Sequence, residues 1–147
     1  MYEKIFYAGW GDMDFNSHMR NTAYLDKSAD IRMMYFAEYG FSTSEFARLR
    51  FGPVVFRDEL EYYKEIGLHQ EIRVSFSLAG LSVDGSRFKI RNEFHGSDGK
   101  RCAVVMSTGG WLDLNTRKLM KPPEALLKVL QSSPQTDSFQ TLASSLK

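Results

Sequence analysis

From residue 71 onward the chain alternates. Ile72, Val74, Phe76 and Leu78 are separated by Glu71, Arg73, Ser75 and Ser77, the period-two signature of a strand with one buried face. Phe88, Ile90 and Phe94 repeat the pattern against Lys89, Arg91 and Glu93. Asp84-Gly85 and Asp98-Gly99 are dipeptides that fold such strands into tight hairpins. Upstream, Val54, Phe56, Leu60 and Tyr62 alternate with Val55, Arg57, Glu59 and Glu61. A strand over about 101–114 is apolar on both faces and contains Gly109-Gly110, a pair that marks a bulge or a close backbone approach. A short first strand is predicted over 2–9, with Ile5 and Tyr7 on one face.

Residues 21–39 follow a different period. Ala23, Leu25, Ala29, Met33, Met34, Phe36 and Ala37 leave few polar positions in the last two turns, which predicts a long helix buried nearly all round. Gly40 stops it. Ser42 and Ser44 are both placed to cap a short second helix through Leu49. Pro122-Pro123 opens another short helix to about Gln131. Residues 132–147, rich in Ser, Gln and Thr, read as a disordered tail. The order strand, helix, four antiparallel strands predicts an α+β domain over 1–131, with one antiparallel sheet wrapped around one long central helix. A single sheet keeps long edge strands, and pairing of copies into a homodimer or a dimer of dimers would cover them.

Composition narrows the function classes. The net charge of the 147 residues is +1, and no block of Lys or Arg stands out, so nucleic-acid binding has little electrostatic support. An anionic small molecule needs only a few local cations. Cys102 is the one cysteine, which excludes a disulfide within the chain; its apolar neighbours place it in a buried strand rather than at a nucleophilic site. No apolar stretch approaches the ~18 residues of a membrane span, and Met-Tyr-Glu-Lys-Ile-Phe-Tyr lacks the layout of a secretory leader. A cytoplasmic protein with no membrane contact is expected.

The chemistry concentrates between Asp12 and His18. Two carboxylates, a carboxamide and an imidazole fall within seven residues, just before the long helix. Asp14, Asn16 and His18 therefore sit in a loop that leads to a helix N-terminus, where unpaired N–H groups favour developing negative charge. A base or nucleophile beside an oxyanion site is the minimum equipment for acyl transfer. The competing reading for Asp14 is a capping role, and Asp12 is expected to fix the turn through backbone hydrogen bonds. Asp12, Asp14 and His18 are also conceivable metal ligands, but His69 and His95 lie on separate segments and no cysteine cluster exists. No metal and no cofactor are expected.

Trp10, Asp12, Asp14, His18, Met19, Asn21, Tyr24 and Arg32, together with the order of elements, resemble the hotdog-fold acyl-CoA thioesterases of the 4-hydroxybenzoyl-CoA type. Asp14-x-Asn16-x-His18 is also similar to the Asp-x-Asn-x-His of acyl-ACP thioesterases. The resemblance implies hydrolysis of an acyl-CoA or acyl-ACP thioester, with Asp14 attacking the carbonyl or activating water. It implies that Asn16 orients the attacking group and that His18 hydrogen-bonds the site or the carbonyl. Phe56-Arg57-Asp58-Glu59 resembles the segment in which a Glu on the following strand assists, which nominates Glu59, and the resemblance implies the backbone N–H near Asn21 as the oxyanion donor. Arg20, Asn21 and Tyr24 are the expected substrate-binding residues; Arg20 departs from the family's Asn-Asn pair. Strand parity sets Glu59 on the face opposite Phe56 and Leu60. Two other functions stay open. A hydratase of this fold spaces its Asp and His by five rather than the four seen here, and an acyl-CoA or acyl-carrier binding module would not need the triad.

Overall fold

The computed structural model of the protein describes residues 1–146. Its strands are β1 (Tyr2–Tyr7), β2 (Phe51–Tyr62), β3 (Glu71–Ser82), β4 (Arg87–Gly96), β5 (Arg101–Asp113), β6 (Leu119–Met120) and β7 (Gln135–Leu142). Its helices are α1 (Asn21–Glu38), α2 (Thr43–Leu49) and α3 (Glu124–Gln131). One sheet runs β1-β3-β4-β5-β2, with β6 added to β5 and β7 to β3. This is the α+β hotdog arrangement that the resemblance implies.

The alternation in β3 and β4 becomes an inner face that receives α1. Tyr35 stacks on Phe76 with ring centroids 4.2 Å apart, Phe36 meets Trp111 at 5.6 Å, and Tyr24 meets Phe94 at 5.2 Å. Each fully buried ring contributes roughly 2–3 kcal/mol of transfer free energy. The helix is not buried all round, however. Asp26, Asp30, Met34 and Ala37 are exposed, because the sheet wraps one side only. Lys27 and Ser28 are buried instead. Ser42 is the cap of α2, its side chain accepting from the Glu45 N–H at 3.2 Å.

The glycine pair of β5 answers to two neighbours. A side chain at Gly109 would run into the Val54 carbonyl and, at 2.9 Å, the ring of Phe88 on the inner face. A side chain at Gly110 would meet the Ser86 carbonyl at 2.7 Å and the ring of Phe56 at 3.0 Å. Beside them the β2 register slips between Val55 and Arg57. Beyond that bulge, Asp58, Leu60 and Tyr62 turn toward α1, and Tyr62 packs edge-on against Tyr24 at 5.3 Å.

The tail expected over 132–147 is a correction: most of it is ordered. β7 pairs in parallel with β3 through Leu78↔Gln135 and Gly80↔Gln140, and Leu78 N–H donates to the Pro134 carbonyl at 2.8 Å. Main-chain pairing to an open edge does not depend on hydrophobic side chains, so a Ser/Gln/Thr-rich segment can complete it. Asp84, in the β3–β4 turn, accepts from Ser144 Oγ at 2.5 Å and from Ser86 Oγ at 2.7 Å. Ser145 N–H donates to Ser86 Oγ at 2.8 Å. Burial would raise the Asp84 pKa, but the hydroxyls of Ser144, Ser86 and Ser82 outweigh it and hold the carboxyl well below 3.8.

Two outcomes follow from this packing. Gly109→Ala should lose about 2–3 kcal/mol of stability through overpacking, read from urea denaturation; a loss below roughly 0.5 kcal/mol, the scale of a plain surface substitution, would contradict it. The stabilisation from the depressed Asp84 pKa is complete above pH 3.8 and is lost as the pH falls from there through the folded-state value. Protection factors for hydrogen exchange over 135–142, taken against the intrinsic rate at each pH, should therefore fall on acidification below that point, and Asp84→Ala should lower them in the same way at neutral pH.

Candidate active site

After β1 the chain makes a single 3₁₀ turn over Trp10–Asp12 and then a tight loop. Asp14 N–H donates to the His18 carbonyl at 2.7 Å, and Ser17, at φ 64°, donates back to the Asp14 carbonyl at 3.2 Å. Met13 and Met19 bridge in antiparallel fashion. Met19 N–H is anchored on the Ile66 carbonyl at 2.8 Å and Arg20 N–H on the Asp12 carbonyl at 2.8 Å.

Asp12 fixes the turn, as expected, through the Gly9 N–H at 2.8 Å. It also does something the sequence did not signal: the same Oδ2 accepts from Lys27 Nζ at 2.9 Å. This pair is largely withdrawn from water, with 10% exposure for the Lys27 side chain and 23% for that of Asp12. Burial would raise the Asp12 pKa, but Lys27 and Gly9 outweigh it and lower it. The pair ties the 3₁₀ turn to the second turn of α1.

Asp14 has one oxygen occupied. Its Oδ1 accepts from Asn16 N–H at 2.8 Å and His18 N–H at 3.1 Å, which is the capping role weighed above. Its Oδ2 has no hydrogen-bond partner among the described residues. Asp14 lines a cleft of about 610 Å³ together with His18, Met19, Asn21 and Tyr24 on one side and Tyr62 to Glu65 on the other. Asn21 is the first residue of α1, which has no side-chain cap, and its N–H has no acceptor among the described residues. Burial, followed by the neighbouring Cys102, Tyr62 and Asp14, pushes the Tyr24 pKa up to about 12. Tyr24 is therefore a neutral phenol at physiological pH.

The other candidates separate. His18 Nε2 lies 2.9 Å from Glu65 Oε2, so the carboxylate that meets the imidazole is Glu65. Glu59 does not line the cleft: it pairs across to Met106 and faces outward, opposite Leu60 as strand parity predicts but, because of the bulge, on the same face as Phe56, and lies 3.4 Å from Arg57. The bulge at Phe56 does not turn it inward. Asn16 is exposed and lines no part of the cleft. Arg20 braces the loop, with Nε donating to Thr22 Oγ1 at 2.7 Å and a guanidinium N–H meeting the Gly11 carbonyl. Lys64, on the cleft wall, pairs with Asp98 at 2.8 Å. Among the described residues no three His, Cys, Asp or Glu side chains gather as metal ligands.

A sequence profile of the thioesterase-like superfamily matches residues 8–130, which takes in the loop, α1 and the sheet strands from β2 onward as far as α3. The chain belongs to the thioesterase-like superfamily. No curated protein sequence matches it significantly. Solved structures share its fold at low identity. A Staphylococcus aureus protein in complex with CoA is 17% identical with a TM-score of 0.80, over 91% of this chain and 86% of that one. A 1,4-dihydroxy-2-naphthoyl-CoA thioesterase from Synechocystis is 10% identical, TM-score 0.79, over 89% and 96%. A gentisyl-coenzyme A thioesterase is 16% identical, TM-score 0.77, over 86% and 99%.

In this thioesterase-like chain the cleft wall formed by Tyr62, Tyr63, Lys64 and Glu65 is the part that sequence reasoning missed. Its only signal was its place at the end of a strand, and what brings it to His18 is the course of β2 beside α1. The loop geometry rests on Lys27. Lys27→Met, which removes one charge and leaves the part-buried Asp12 carboxylate without its partner, should cost about 1–3 kcal/mol, measured by urea denaturation. Lys27→Met with Asp12→Asn should recover part of that loss; an equal loss in the double variant would show that the charge pair is not the cause.

Proposed function

We propose that the protein hydrolyses an acyl-CoA thioester to the free acid and CoA. The observation that carries this reading is the pairing of Asp14, with its Oδ2 uncommitted, and the unpaired Asn21 N–H at the start of α1, both on one cleft. Superfamily membership and structural neighbours that are CoA thioesterases support it, and a neighbour bound to CoA favours CoA over an acyl-carrier protein as the thiol.

The reaction follows from the geometry. The Asn21 N–H and the positive end of α1 polarise the thioester carbonyl. Asp14 Oδ2 takes a proton from a water molecule whose oxygen adds to the carbonyl carbon. The tetrahedral adduct collapses, the C–S bond breaks, and the proton held by Asp14 passes to the departing thiolate. Holding Oδ1 with two backbone N–H groups fixes the carboxylate plane, so the free oxygen meets its water without reorganisation. His18, steadied by Glu65, and the neutral Tyr24 phenol offer hydrogen bonds to the substrate from the same side of the cleft as Asp14. β2, twelve residues long with one edge unpaired in this chain, is the edge along which two copies would meet.

Thiol release from a panel of acyl-CoAs tests the reading. Asp14→Asn keeps an acceptor for the loop N–H groups and removes the base, so kcat should fall by roughly 10²–10⁴ with the fold intact by circular dichroism. Equal rates for the wild type and Asp14→Asn would overturn the assignment.

A further inference from the structure

Asp14 borders a second cleft. On its other side Trp10, Met13, Phe15, Ser17 and Leu68 enclose a further 610 Å³ or so, within the range of small-molecule sites. Asp14 is the only residue common to the two linings. Their chemistry differs. The first carries Asn21, Lys64, Glu65 and phenol hydroxyls; the second, apart from Asp14 and Ser17, is hydrocarbon, aromatic ring and thioether.

The fold makes little use of these apolar groups. Phe15 is fully exposed, Trp10 is 81% exposed and Leu68 41%. Phe15 stands at the tip of the Asp14–Ser17 turn, where backbone geometry favours small polar residues. The rings are nonetheless displayed on fixed backbone: the turn is closed by Asp14 and His18, and the 3₁₀ turn bearing Trp10 is tied down by Asp12. A thioester has two arms diverging from its carbonyl carbon. A carboxylate set where two clefts meet, one polar and one apolar, matches that shape.

We propose that the Trp10–Phe15–Leu68 cleft is the acyl subsite and takes an apolar, flexible acyl chain, while the amide-bearing thiol arm lies in the Tyr62–Glu65 cleft. The proposal rests on the hydrolase reading above for the place of the carbonyl, but its test does not depend on turnover. Apolar chains gain affinity with each methylene buried, whereas a ring-shaped or polar subsite would level off after the first few carbons.

The experiment is calorimetric binding of non-hydrolysable S-alkyl-CoA thioethers, from ethyl to decyl. For the wild type, Kd should fall by roughly four-fold per added methylene until the cleft is filled. In Trp10→Ser/Phe15→Ser the gain with length should largely vanish, with loss of the order of 10²-fold for decyl-CoA. Val83→Ser, which removes an exposed apolar side chain at the far hairpin, should leave the length profile as in the wild type. A flat profile in the wild type, or an equal loss on ethyl and decyl thioethers in the double variant, would overturn the proposal. A change of oligomeric state by light scattering in that variant would assign the rings to a contact between copies. Loss of sedimentation with phosphatidylcholine vesicles would assign them to a lipid surface. Length-dependent binding without hydrolysis of any acyl-CoA would keep the subsite and reject the hydrolase reading.

Discussion

The site depends on the Asp12–Lys27 ion pair. The 3₁₀ turn and α1 are consecutive in sequence, yet nothing in a loop of this length obliges it to keep one shape. Lys27 reaches back fifteen residues to Asp12, and the same carboxylate oxygen holds Gly9. With both ends of the loop pinned, the turn between them places Asp14 beside the first N–H of α1. In a low-dielectric setting such a pair is costly to assemble and costlier to break, so it acts more as a specification of geometry than as a source of stability.

The sheet makes a second contribution through irregularity. An ideal β2 would keep one parity from Phe51 to Tyr62. The extra residue at Phe56 resets it, and the strand's second half then faces α1 with Asp58, Leu60 and Tyr62. Phe56 itself covers Gly110 on the outer surface, under the guanidinium of Arg87 at 5.7 Å. The bulge, the two glycines and the cation over the ring form one local solution: the missing side chains of β5 are replaced by a ring from each neighbouring strand, Phe56 of β2 over Gly110 and Phe88 of β4 over Gly109. The strand then leads Tyr62 against Tyr24 and carries the chain on to Glu65 beside His18.

Much of this was legible beforehand because it is periodic or local. Alternation found β3 and β4, the Asp-Gly pairs found their turns, and Asp12 was readable as a turn-fixing residue. Asp14 falls in the loop that leads into α1, as its place in the sequence predicts. What escaped depends on partners distant in sequence. Nothing near Lys27 distinguishes it from a solvated lysine until Asp12 is beside it. β7 is written in main-chain hydrogen bonds, to which composition is blind. Glu59 was nominated by analogy, whereas Glu65 came to His18 because a strand end and a loop happen to pass each other. Asn16 and Arg20 show the converse: they sit in the right stretch of sequence but point to solvent and to the loop's own backbone.

Cys102 lies fully buried in β5, and burial pushes its thiol pKa up. The protein is thus silent toward thiol-reactive dyes while folded and gains one reactive group per chain when β5 opens. A colour reaction that counts released CoA reads product alone, and the same reagent without substrate clocks the opening of the sheet. One buried sulfur makes the molecule its own blank in the first measurement and its own reporter in the second.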